Sequence, residues 1–123
     1  MRVVIESPLR GDYEANRAYA KRCVLDSLSR GEAPYASHLL YTQMLDDAIP
    51  DQRRLGMEAG FAWGDAGDLR RFYLDLGESL GMVEGYQRAM RRGQPTERCL
   101  LPPDLMAMLD AGDEPKATEG ATE

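Results

Sequence analysis

Histidine is nearly missing from this 123-residue sequence, and cysteine is scarce: His38, Cys23 and Cys99 are all there is of either type. One histidine and two cysteines without Cys-x-x-Cys spacing exclude the usual zinc site, and nothing in the sequence calls for a metal or a cofactor. Long apolar runs are also lacking, and none approaches the roughly 20 residues needed to cross a bilayer. The opening apolar run, Val3-Val4-Ile5, is too short for a signal-peptide core and ends at Glu6. No membrane partner is therefore expected, and the compartment expected is the cytoplasm. There the two cysteines read as reduced, small core hydrophobes rather than a disulfide.

A surplus of cations is absent too. Lysine and arginine number 15 against 21 aspartates and glutamates, a formal charge of −6. The last stretch, Asp110 to Glu123, holds five acids against Lys116 and so accounts for −4, leaving −2 on the rest. A nucleic-acid-binding face needs clustered cations, which this balance disfavours. Residues 110–123, rich in Ala, Gly, Thr, Glu and Pro without an apolar pattern, read as a disordered acidic tail. Residues 1–109 read as one domain.

What is present is an alternation of short apolar strands and helical segments. Val3-Val4-Ile5, ended by Ser7-Pro8, reads as a buried strand. Asp12 caps a helix over about 12–30 that stops at Gly31. Ala33 to Ser37 reads as a second strand. His38 to Asp47 has no clean period and reads as a long loop, a place where function concentrates. Pro50-Asp51 opens a second helix. Leu69 to Leu76 reads as a third strand, and residues 80–92 as a helix stopped by Gly93. Thr96 to Leu100 reads as a fourth strand, with a short helix from Pro102 or Pro103 to Leu109. This order predicts an α/β domain of three layers, flavodoxin- or Rossmann-like, with a small parallel sheet of about four strands. Ligands of such sheets bind at the carboxyl ends of the strands.

Three loops leave those ends. In the third, Ser79-Leu80-Gly81 stands at a helix start, where N–H groups attract anions and glycine admits close approach. Ser79 suits either a phosphate oxygen or a plain helix cap. In the first loop, Arg10 beside Gly11 suits an anion or a solvated surface. His38 reads as a hydrogen-bonded structural group or a proton carrier. Tyr41, with Gln43, Asp46 and Asp47, suits a sugar or base, or equally ordinary loop polarity. Glu58 lies between Gly56 and Gly60, a spacing that equally marks close helix packing, and Glu84 lies one turn after Gly81. Two carboxylates can act as nucleophile and acid at a glycosidic bond, with His38 assisting.

Taken together, Val4-Ile5-Glu6-Ser7-Pro8-Leu9-Arg10-Gly11, Ala36-Ser37-His38-Leu39-Leu40, and Ser79-Leu80-Gly81-Met82-Val83-Glu84-Gly85-Tyr86 with Gly93-Gln94-Pro95 carry a likeness. The chain resembles the nucleoside 2-deoxyribosyltransferase-like superfamily, which includes deoxynucleoside monophosphate N-glycosidases, over about residues 2–101. It is most similar to that group's small phage and bacterial members. The resemblance implies a flavodoxin-like sheet, homodimers or larger assemblies, and a small nucleotide or nucleoside as partner. It implies ligand contacts at Ser7, Leu9, Arg10, Gly11, Ser79 and Gly81, with a helix glutamate as nucleophile just after Gly81. At the position the resemblance gives to that glutamate this chain has Val83, and Glu84 follows about 100° further round the helix. The expectation is therefore a nucleotide-binding or sequestering protein, with cleavage of the base–sugar bond by Glu84, Glu58 and His38 as the alternative. The apolar residues Leu39, Leu40, Met44 and Leu45 are expected at an interface between copies or over the domain's own core.

Overall fold

In the computed structural model, which describes residues 1–110, the polypeptide alternates strand and helix around one sheet. The elements are β1 (Arg2–Glu6), α1 (Tyr13–Ser29), β2 (Ala33–Tyr35), α2 (Ser37–Leu40) and a 3-10 turn (Tyr41–Gln43). They continue with α3 (Pro50–Asp65), β3 (Leu69–Tyr73), α4 (Leu80–Arg92), β4 (Thr96–Cys99) and α5 (Pro103–Asp110). All three strand pairings are parallel, in the order β2-β1-β3-β4. This is the α/β three-layer architecture expected, with four strands. The acidic tail lies beyond residue 110, outside the described residues, apart from Asp110 at the end of α5. No helix among the described residues is long and apolar enough to cross a membrane.

Alternation along the strands sorts the two faces. Val3, Ile5 and Tyr73 point to one face and form the main core with Tyr19 and Cys23 of α1, Ala36 and Leu101, while Leu105, Met106 and Leu109 pack over it. Val4, Arg70 and Phe72 point to the other face, where Phe72 meets the Tyr86 ring of α4 edge-on at 5.8 Å. The helix α1 starts at Asp12, whose carboxylate accepts from the Ala15 N–H, and α4 stops at Gly93, whose positive φ of 71° favours glycine.

Two elements differ from those expected. The second strand ends at Tyr35, and the segment expected to be a loop instead winds into α2 and the 3-10 turn. Glycines on α3 make room for it: a Cβ on Gly60 would lie 3.1 Å from Ser37 Oγ, and one on Gly56 would lie 3.3 Å from Leu45 Cδ1. The Gly-x-x-x-Gly spacing is thus a packing seam. The third strand ends at Tyr73, and two charged residues, Arg70 and Arg71, sit buried within it. They survive burial because each meets carboxylates. On the α1 side Arg71 donates to Glu32 at 2.6 and 2.9 Å and pairs with Glu97. On the α4 side Arg70 donates to Glu6 at 2.5 Å and to Gln94 Oε1 at 2.9 Å.

Candidate functional site

The chain leaves β1 to build β2 on one side, then crosses back to build β3 on the other. Outward-bound connections that diverge in this way leave a crevice beyond the carboxyl end of β1. A cavity of about 890 Å3 opens there, walled by the β1–α1 loop, α2 with its 3-10 turn, α3 and the start of α4. That volume falls in the range of small-molecule sites.

Each wall contributes polar groups. Ser7 follows β1 directly and is buried; its Oγ is hydrogen-bonded to His38 Nε2 at 2.8 Å, joining the first loop to α2. Burial pushes the His38 pKa down to about 4, so the ring is neutral at neutral pH. A neutral imidazole can accept or donate at this wall but carries no charge to attract an anion. Asn16, buried on α1, donates from Nδ2 to the Leu9 and Arg10 carbonyls at 3.1 and 2.7 Å. That clamp fixes the loop that carries Arg10 to the rim.

At the opposite wall Ser79 caps α4. Its Oγ accepts from the Met82 N–H at 3.2 Å, while its own N–H donates to Met82 Sδ at 3.5 Å. The cap bond uses Oγ as an acceptor and leaves its hydroxyl hydrogen to donate. The N–H groups of Leu80 and Gly81, in the first helical turn, have no intrahelical acceptor. Ser79, Leu80 and Gly81 all line the cavity. Arg53 of α3 lines it as well, so the cavity shared by the α4 N-terminus also has Arg10 and Arg53 among its lining residues.

The floor is Glu6, the last residue of β1. Its carboxylate takes a hydrogen bond from Arg70 and lies under Gly85 of α4, where a Cβ would come within 2.9 Å of Glu6 Oε2. Burial raises the Glu6 pKa, and the Arg70 charge and hydrogen bond oppose that rise. Arg70 is held in turn by Gln94, whose Nε2 donates to the Gly64 and Gly67 carbonyls. Asp65 stands 3.8 Å from Arg70 and binds Arg88 at 2.8 and 2.6 Å. Among the described residues no cluster of His, Cys, Asp and Glu is placed to hold a metal ion.

The structure brings together most of the residues singled out from the sequence. Ser7, Leu9, Arg10, His38, Tyr41, Ser79, Gly81 and Glu84 all line the cavity. Gly11 does not line it; its φ of 100° turns the loop behind Arg10. Glu58 does not line it either: it is solvent-exposed on α3, 3.9 Å from Arg54. Glu84 sits at the exposed rim. Of the four apolar residues expected at an interface or over the core, Leu39 packs on the main core and Leu45 lines the cavity, while Leu40 and Met44 are exposed. Sequence reasoning missed Glu6 and Arg70 as site residues. Glu6 at a strand's carboxyl end, just before Ser7-Pro8, carried the only available signal. Arg70 carried none, since its partner is 64 residues away.

Compared with known proteins, the model of one protein family, a domain of unknown function (DUF7768), matches residues 1–99. No curated protein matches the chain.

Proposed function

The chain belongs to the DUF7768 family, and from the cavity at its topological switch point we propose that it binds a small nucleotide or nucleoside-type ligand. One observation carries this reading: the serine-capped N-terminus of α4, with Arg10 and Arg53, shares a cavity of about 890 Å3 with a neutral His38–Ser7 pair and the half-buried Glu6 carboxylate. Free N–H groups at a helix start and two guanidiniums suit a phosphate. The remaining space, with Tyr41, Leu9 and Met57 along it, suits a flat, partly apolar base. The resemblance to nucleoside 2-deoxyribosyltransferase-like proteins supports the same ligand class. Both cysteines are free thiols, which suits a reducing, cytoplasmic compartment.

Binding is tested by thermal unfolding of the full chain with ribo- and deoxynucleoside 5′-monophosphates. A ligand at 100 times its Kd adds about 2.7 kcal/mol of stability. No stabilisation by any of them at millimolar concentration overturns the reading. A second reading, cleavage of the N-glycosidic bond, is favoured by one observation, the presence of two carboxylates, Glu6 and Glu84, on the same cavity. Chromatography of the same incubations for free base separates turnover from binding. Leu40 and Met44, exposed in the segment expected at an interface, suit self-association, which sedimentation would reveal as a dimer.

A further inference from the structure

The floor of the cavity is a carboxylate with one oxygen committed and one available. Glu6 Oε2 accepts from Arg70 Nη1 at 2.5 Å, the one hydrogen bond to this carboxylate among the described residues, and Oε1 takes none. The Glu6 side chain is 18% exposed, and it is exposed to the cavity it lines. That oxygen is not buried against protein but open to the cavity, so a ligand that supplies an O–H or N–H there gains a charge-assisted hydrogen bond. Arg70 cannot turn away to leave Glu6 free, because Gln94 and the packing of Gly64 against its guanidinium hold it. The backbone also provides for this carboxylate. Gly85 is the residue of α4 under which it sits, and any side chain on Gly85 would displace it.

The position of Gly85 identifies which part of the ligand arrives at Glu6. It lies four residues after Gly81, about 6 Å along the helix from the first-turn N–H groups. If a phosphate is held at those groups, the portion of a nucleotide that lies one helical turn away is its pentose; the edges of the base reach further. We propose that Glu6 is the specificity-determining acceptor for a pentose hydroxyl, with Arg70 as its positioning residue. This rests on the nucleotide reading above and adds to it the sugar as the group read at the floor. Glu84, exposed at the rim, has no part in this contact.

The test is a chemical double-mutant cycle by calorimetry on the full chain. The probes are the tightest-binding nucleoside 5′-monophosphate of the eight common ribo and deoxy forms and its 2′,3′-dideoxy counterpart. Wild-type protein is expected to bind the dideoxy compound about tenfold or more weakly, the usual cost of losing a hydrogen bond to a charged group. Glu6→Gln, which keeps an oxygen for Arg70, is expected to weaken the parent nucleotide similarly and to show no further loss with the dideoxy compound. Glu6→Asp keeps the charge and withdraws it by one methylene; it provides the same cycle should Glu6→Gln fold poorly. Equal binding of parent and dideoxy compounds by wild type overturns the proposal, as does a dideoxy penalty that is the same with and without Glu6. If wild type binds no nucleotide, the proposed function itself has failed. If it binds nucleotides with no dependence on Glu6, only this inference has.

Discussion

Gly85 and Glu6 are packed so closely that a single methyl group on the helix would lie 2.9 Å from the carboxylate oxygen Oε2. Gly85→Ala therefore trades a helix-propensity gain of about 1 kcal/mol against displacement of a buried ion pair. We expect a net loss of about 1–2 kcal/mol in urea unfolding and weaker nucleotide binding. Gly81 is the control. A Cβ there meets nothing nearer than Ser79 Oγ at 3.8 Å, so Gly81→Ala should hold or raise stability by up to about 1 kcal/mol. A Gly85→Ala protein as stable as wild type would show that Glu6 yields freely.

The Ser7–His38 pair predicts a pH dependence. His38 has its pKa lowered by burial from 6.5 to about 4 in the folded protein. Between those values the unfolded chain takes up a proton that the folded ring refuses, so folding stability falls as pH drops from about 6.5 towards 4 and levels off below. Above 6.5 both states are neutral and the group contributes no slope. Unfolding free energies measured from pH 7 to pH 4 should lose about 1–3 kcal/mol through this residue. His38→Gln should flatten that portion of the curve, and an unchanged slope would contradict the assignment.

Arg70→Met should be among the most damaging single changes. It strips the cation from Glu6 and Asp65 at once, and a buried charge left without its partner costs about 3–5 kcal/mol. Adding Glu6→Gln to Arg70→Met should recover part of that loss, because the orphaned charge is then gone. Denaturant unfolding of the three proteins measures the coupling; additive losses would mean that the pair does not act as a unit.

On the opposite face, Glu32 is held by Arg71 and Ser27, and its pKa is lowered to about 2, chiefly by the Arg71 hydrogen bond. A depressed carboxylate stabilises the fold above its ordinary pKa of 4.5 and loses that contribution as pH falls from 4.5 towards 2. Glu32→Gln should be less stable than wild type at pH 7 and should converge on it by pH 2. Circular dichroism melts across that interval would check the convergence.

Much of this was readable along the chain because it rests on neighbours in sequence. The Val3-Val4-Ile5 strand, the Asp12 and Ser79 caps and the Gly93 stop are written in residues a turn or less apart. The parallel four-stranded sheet follows from the alternation of strands with helices. Even the gathering of Ser7, Arg10, His38, Ser79 and Gly81 on one cavity follows from that order, since loops leaving the carboxyl ends of parallel strands share an edge.

The floor of the cavity was not readable in this way. No neighbour in sequence marks Arg70, and the glycines flanking Glu58 do not say which way its side chain points. Only folding set Arg70 beside Glu6, 64 residues away, and put Glu58 in solvent on the outer side of α3. Local sequence determines which backbone conformations are cheap, so it determined the elements and their order. Which buried charges meet is decided by strand register and helix packing, where Val4 pairs with Arg70 across β1 and β3 and Gly85 leaves room above Glu6. That pairing of distant residues, imposed by the cost of burying either charge alone, is what the tertiary structure decided.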